Sequence, residues 1–157
     1  MIGAKIIHTK MMSLEIDGHN VGNLVDESRI LNYWGDIATE VMIRATGNGS
    51  LFRAFKDVEF IQHIHVGDFV EFRAWLEKRG NSSFEVHFEA YKTISKTDDF
   101  KLSHGWVLPE DYEPDLKGYE GSILYEEPIL CATGVGVLIV KKENQKEAPD
   151  IRFRAQA

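Results

Sequence analysis

The sequence predicts an α+β domain in which an antiparallel sheet is covered by one long helix. Two observations carry this. A 3.6-residue apolar period occurs in a single stretch, from about residue 26 to residue 44, whereas four later segments read as strands at period two. The helix is then the only large apolar object available to cover the sheet, and it should lie inside the sheet's curve.

Taken in order, residues 4–12 (AKIIHTKMM) carry β-branched residues over too short a run for a helix, which predicts a first strand. DGHNVGN, residues 17–23, holds two glycines and two asparagines and reads as a loop. The helix follows, with Ile30, Leu31, Trp34, Ile37, Ala38, Val41 and Met42 on one arc, and TGNGS (46–50) ends it. LFRAFKDVEFI (51–61), HVGDFVEFRAWLEKRG (65–80), NSSFEVHFEAYKTI (81–94) and PILCATGVGVLIVKK (128–142) are the remaining strands. In the third of these, Phe84, Val86, Phe88 and Ala90 share one face and Glu85, His87, Glu89 and Tyr91 the other.

Residues 95–127 form an acidic, aromatic-bearing excursion with no clear period, either a surface flap or a lid over a ligand site. The expected organisation is one domain over residues 1–143 with that insertion, and a solvated C-terminal tail over 144–157.

Composition narrows the function. The net charge of -7 argues against a nucleic-acid partner, which needs a basic face to release counterions. No apolar run approaches the ~18 residues of a membrane span, and the N-terminus lacks a secretory h-region, so a cytoplasmic protein is expected. The single cysteine, Cys131, sits in an apolar strand and reads as a buried hydrophobe rather than a nucleophile.

Three local signatures resemble the hotdog fold of acyl-CoA thioesterases: Trp34-Gly35-Asp36, VEFIQHIHVGDFVEF (58–72) and RGNSSFEVHFEA (79–90). A denser set of phrases, MMS, DGHNVGNLV, WGDIATEVM, LFRAFKDVEF, VGDFVE, GNSS, FEAYK and EEPILC, resembles the β-aminoacyl-CoA ammonia-lyases of that superfamily. The resemblance implies a sheet wrapped around one central helix. It also implies reversible removal of ammonia from 3-aminobutyryl-CoA or β-alanyl-CoA in amino-acid fermentation, including lysine degradation. A homodimer or a multiple of dimers follows, with the CoA groove between subunits. The insertion is longer than the family's usual one.

That chemistry asks for a base beside the thioester carbonyl, a stabiliser for the enolate oxygen, and an anionic partner for the ammonium. Asp36, at the position matching W-x-D, is the candidate base, with a pKa lifted by burial. Glu40 lies at i+4, so both carboxylates could approach one ammonium, or share a proton, along a flank that also carries Arg29 and Tyr33. On spacing alone the same four residues could be an exposed polar strip.

Free amides near Gly22 to Val25 could hold the enolate. His19 reads either as a proton relay or as a packed loop histidine, and Asn23 either as a hydrogen-bond donor to the carbonyl or as a helix cap. Glu59, which faces either solvent or a neighbouring helix flank, is the candidate for a second ammonium contact, and Gly22 and Tyr33 are the candidates to line the substrate. For CoA, Arg79, Gly80, Asn81, Ser82, Ser83 and Lys92 are the candidates, although Gly80-Asn81 also suits a plain hairpin turn. His63 and His65, spaced i, i+2 on a strand, lack a third ligand nearby, so no metal is expected, and CoA enters as part of the substrate rather than as a cofactor. The rival readings are an acyl-CoA thioesterase of the same fold and a non-enzymatic acyl-CoA-sensing module.

Overall fold

The computed structural model describes residues 1–18, 24–96 and 122–154. The order of elements is β1 (Ile2–Met11), a single turn α1 (Leu14–Asp17), α2 (Glu27–Thr46), β2 (Leu51–Phe60), β3 (Phe69–Arg79), β4 (Ser83–Lys96) and β5 (Ser122–Ile139), followed by two short 3-10 turns. Among the described residues the five strands pair antiparallel in the order β1-β3-β4-β5-β2, with β1 and β2 at the edges.

Helix α2 begins where the apolar period begins. Asp26 caps it, its carboxylate accepting from the Ser28 amide at 3.0 Å, and Gly47 closes it in the left-handed region at φ 75°. Its apolar arc is the predicted one: Ile30, Trp34, Ile37, Ala38, Val41 and Met42 are all buried, and Leu31 packs at the margin. Against it lie Val70, Phe72, Ala74 and Leu76 of β3 and the predicted inner face of β4, Phe84, Val86, Phe88 and Ala90. Trp34 is fully buried, stacks on Phe88 at 5.3 Å and donates its indole N–H to the Glu89 carbonyl of β4. The close approach needs Gly134 on β5, where a Cβ would stand 2.9 Å from the Trp34 ring.

Four expectations change. The pairing of β4 with β5 continues through Ile94, Ser95 and Lys96 to Leu124, Ile123 and Ser122. Hydrogen bonding thus extends both strands into the segment assigned to the 95–127 insertion, whose remainder lies outside the described residues. His63 and His65 are not on a strand: β3 starts only at Phe69, and the connection before it is a turn in which His65 is buried and His63 exposed. Alternation fails in β2, where register shifts between Phe52 and Ala54 and between Lys56 and Glu59.

The fourth concerns the C-terminal segment, which is packed. Ala148 and Phe153 belong to the core, the Lys146 amide donates to the Thr46 carbonyl, and the Asp150 amide donates to the Arg44 carbonyl. These bonds occupy carbonyls that the end of α2 leaves unpaired, which a charge count along the chain does not reveal.

Candidate active site

The polar flank predicted on α2 divides into three. Arg29 and Tyr33 turn toward Asp17, the buried last residue of α1. The Tyr33 hydroxyl donates to Asp17 Oδ1 at 2.5 Å, Arg29 Nε reaches the same oxygen at 3.2 Å, and the Ser13 amide donates to Oδ2 at 2.7 Å. Burial first, and then the bond to Asp17, push the Tyr33 phenol up. Tyr33 is thus a buried strut against Phe72, its ring 5.0 Å away, rather than part of an exposed strip. The cluster fastens the chain entering α2 to the end of β1, on either side of residues 19–23. His19, Gly22 and Asn23 fall in that interval, outside the described residues.

Glu40 forms the second group. Its Oε1 pairs with His8 Nε2 at 3.0 Å and its Oε2 accepts from Arg44 Nε at 3.1 Å, while Arg44 Nη1 continues to Asp150 at 2.8 Å. Burial favours the neutral acid, but the hydrogen bonds from His8 and Arg44 outweigh it and hold Glu40 below the usual carboxylate range. Both oxygens are engaged, so within this chain Glu40 joins β1, α2 and the C-terminal segment.

Asp36 stands alone between them. Its side chain is exposed, and it has no hydrogen-bond or ion-pair partner among the described residues. The burial expected to lift its pKa is absent within the single chain, because residue 36 falls on the flank of α2 turned away from the sheet. Beside it the backbone is bare: a Cβ on Gly35 would meet nothing within 4 Å. This is the part of the helix open to a ligand or to another subunit.

A small cavity of about 100 Å³ lies between the start of α2 and the β2–β3 connection, lined by Val25, Glu27, Ile30, Phe60, His63 and Ile64 among others. The Val25 amide, expected to be free for an enolate, donates instead to the Ile64 carbonyl at 2.8 Å, because α2 starts later and Asp26 serves as its cap. Glu59 is exposed on β2 opposite Thr133.

Among the CoA candidates, Arg79, Gly80 and Asn81 are exposed at the β3–β4 hairpin, where the Gly80 amide is taken by the Ser83 carbonyl at 2.7 Å and Ser82 accepts from the Val140 amide. Lys92 must be withdrawn from that group. It is fully buried, its ammonium 3.2 Å from Asp68 Oδ2 and 2.8 Å from the His63 carbonyl, since its place on β4 falls on the inward side.

Sequence reading missed Asp17, His8 and Asp68. Asp68 had a signal, the V-G-D turn, in which its carboxylate accepts from the His65 amide. Asp17 and His8 had none, since their partners lie 16 and 32 residues away. Among the described residues no group of three or more metal-ligating side chains occurs.

The Thioesterase superfamily matches residues 30–97. A 3-aminobutyryl-CoA ammonia lyase of Acetoanaerobium sticklandii is 33% identical over 131 residues, covering 83% of this chain and 90% of that protein. The chain belongs to the β-aminoacyl-CoA ammonia lyases. Among solved structures, the β-alanyl-CoA:ammonia lyase of Clostridium propionicum is 38% identical with a TM-score of 0.81, and the match covers 98% of this chain and 96% of that one. A hexameric hotdog-fold thioesterase of Campylobacter jejuni, 13% identical with a TM-score of 0.58 over 90% of this chain and 86% of its own, shares the fold alone. The hotdog architecture predicted from sequence is therefore the observed one, and this ammonia-lyase chain presents Asp36 from its central helix.

Proposed function

We propose that the chain is a carbon–nitrogen lyase that reversibly eliminates ammonia from a β-aminoacyl-CoA, giving crotonyl-CoA from 3-aminobutyryl-CoA or acryloyl-CoA from β-alanyl-CoA. The observation that carries this reading is the near full-length identity to ammonia lyases with those two substrates in their names. Asp36 takes the proton next to the thioester carbonyl, and the electron pair left on the α-carbon forms the α–β double bond as the bond from the β-carbon to the ammonium nitrogen breaks, releasing ammonia. CoA is carried by the substrate, so the step calls for no separate cofactor.

Proton abstraction from carbon is favoured where bulk water is excluded, and in the single chain Asp36 is exposed. The reading therefore includes an oligomer in which a neighbouring subunit covers Asp36. Support comes from edge strand β2, where Leu51 (73%), Phe60 (47%) and neighbouring Ile61 (46%) are exposed apolar side chains, and from hexameric assemblies among hotdog thioesterases. A CoA-ester substrate suits a cytoplasmic site of action, and no described helix is long and apolar enough to cross a membrane.

The test is to incubate the protein with crotonyl-CoA or acryloyl-CoA and ammonium, and to identify the products by mass. Addition of ammonia to the double bond is expected; release of free CoA thiol without an amine adduct would instead favour the thioesterase reading.

A further inference from the structure

Among the described residues, Lys92 and Asp68 form the one ion pair whose side chains are both fully buried. It is also an incomplete pair. Lys92 Nζ lies 3.2 Å from Asp68 Oδ2, but Oδ1 is buried without a hydrogen-bond partner among the described residues. Two ions taken out of water hold a fold together no better than apolar side chains of similar volume, and a half-satisfied carboxylate does so least of all. Stability alone therefore gives no reason for an ion pair at this place; its bonds do.

Those bonds converge on one turn. Lys92 Nζ donates to the His63 carbonyl at 2.8 Å and Asp68 Oδ2 accepts from the His65 amide at 2.8 Å, so the turn ahead of β3 is gripped on both sides of Ile64. Ile64 is where the turn meets the start of α2. Its carbonyl accepts from the Val25 amide at 2.8 Å, and Leu24 forms an antiparallel bridge with His65. On the other side Val25 bridges to Gly18, and the Asp26 amide donates to the Asp17 carbonyl. The two residues before the cap of α2 are thus paired both to the end of α1 and to the turn.

The same turn forms one wall of the cavity of about 100 Å³ whose other wall is Val25, Glu27 and Ile30 at the entrance of α2. Asp36 stands nine residues beyond Glu27 on that helix, about 14 Å along its axis. A hydrogen-bonded helix passes a displacement of its first turn along its length, whereas the apolar contacts of its buried arc carry no direction of their own. Directional bonds at the entrance therefore fix the place of the Asp36 carboxylate more tightly than the arc alone.

We propose that Lys92 and Asp68 are positioning residues for the elimination: held inside the sheet, they fix the 63–65 turn, the turn fixes the entrance of α2, and the helix presents Asp36 to the substrate carbon. The proposal rests on the reading of the chain as a β-aminoacyl-CoA lyase with Asp36 as its base. Misplacing a reacting group by about 1 Å through a change far from the chemistry lowers the rate by roughly 10²-fold, so the pair acts on turnover without touching the substrate.

Two variants with opposite expected outcomes test it, assayed by addition of ammonia to crotonyl-CoA or acryloyl-CoA. Lys92→Met combined with Asp68→Leu makes the interior apolar, so its thermal melt should lie near that of the wild type, but nothing is left to grip His63 and His65. Its kcat should fall by about ten-fold or more at a KM within about two-fold of the wild type. Its Val25 amide should exchange hydrogen faster than in the wild type, while amides in the middle of β4 keep their protection. Asp68→Asn keeps an oxygen for Lys92 Nζ and for the His65 amide and loses only the charge, so it should melt lower yet hold kcat within about two-fold. Wild-type kcat in the double variant, or a ten-fold loss in Asp68→Asn assayed well below its melting temperature, overturns the positioning role while the lyase reading stands. A double variant that does not fold overturns it as well, because the pair would then serve stability. A wild-type protein that adds no ammonia to either ester overturns both.

Discussion

Lys92 Nζ lies 3.2 Å from Asp68 Oδ2 with both side chains fully buried, and it also donates to the His63 carbonyl at 2.8 Å. Asp68 Oδ2 also accepts from the His65 amide, while Oδ1 is buried without a hydrogen-bond partner among the described residues. The pair thus ties β4 to the turn ahead of β3, whose Asp68 carbonyl and Gly67 amide also bond to Met12 at the end of β1. Removing one member strands a charge where water cannot reach it. Lys92→Met should cost about 3–5 kcal/mol, and Lys92→Met combined with Asp68→Leu should recover most of that loss. Urea unfolding of the two proteins beside the wild type decides it; a single variant as stable as the wild type would refute the account.

The helix stands close to the sheet because β5 carries glycine beneath Trp34. In Gly134→Ala the new methyl would meet the Trp34 ring at 2.9 Å and Val58 Cγ2 at 3.3 Å, with backbone on one side and a fully buried indole on the other. Overpacking of this kind costs about 1–3 kcal/mol. The expected result is a lower midpoint in thermal unfolding at unchanged secondary structure, checked by circular dichroism.

Most of the fold was legible because it depends on local periods. The arc from Ile30 to Met42 and the alternation from Phe84 to Ala90 are each written within one element, and both faces lie where predicted. The site was less legible because its contacts are not local. Tyr33 was placed by its spacing from Asp36, yet it follows Asp17 from another element. Lys92 was placed by its charge, whereas strand register puts it inside, opposite Val70 and Ile129. Sequence spacing ranks neighbours along a helix, but it does not report which distant carboxylate competes for them.

Cys131 should be chemically quiet in the native state. It is fully enclosed, and burial pushes its thiol up to about 11 despite the opposing charge of Lys92. At neutral pH the reactive thiolate is then scarce as well as inaccessible. Reaction with a chromogenic disulfide should be slow in buffer and rapid in denaturant. Fast labelling of the folded protein would contradict the packing of β5.

The Glu40 network should give the protein an acid-sensitive limb. Its folded-state pKa is depressed below the ordinary 4.5, burial working against the bonds from His8 and Arg44 but losing to them. Asp150 is likewise held below its ordinary 3.8, chiefly by the hydrogen bond from Arg152. A depressed acid contributes stability that is complete above its unfolded pKa and disappears as pH falls through its folded value. Stability should therefore decline below about pH 4.5, and Glu40→Gln should melt earlier than the wild type near neutrality. The two melting curves should converge on acidification; a constant gap down to low pH would separate Glu40 from the acid limb.

Asp36 makes the sharpest division between folding and chemistry. It has no intrachain partner among the described residues and its side chain is exposed, so Asp36→Asn removes no contact that stabilises this chain. Stability of the isolated fold should change by less than about 0.5 kcal/mol. As the base for the carbon-bound proton, the same atom change should lower kcat by roughly 10²–10⁴-fold. Because only an ionised carboxylate accepts the proton, forward elimination should fall away as the solution is acidified. Single-turnover elimination across pH, with the oligomer confirmed by light scattering, measures both quantities. Normal turnover by a correctly assembled Asp36→Asn protein would assign the proton transfer to another group.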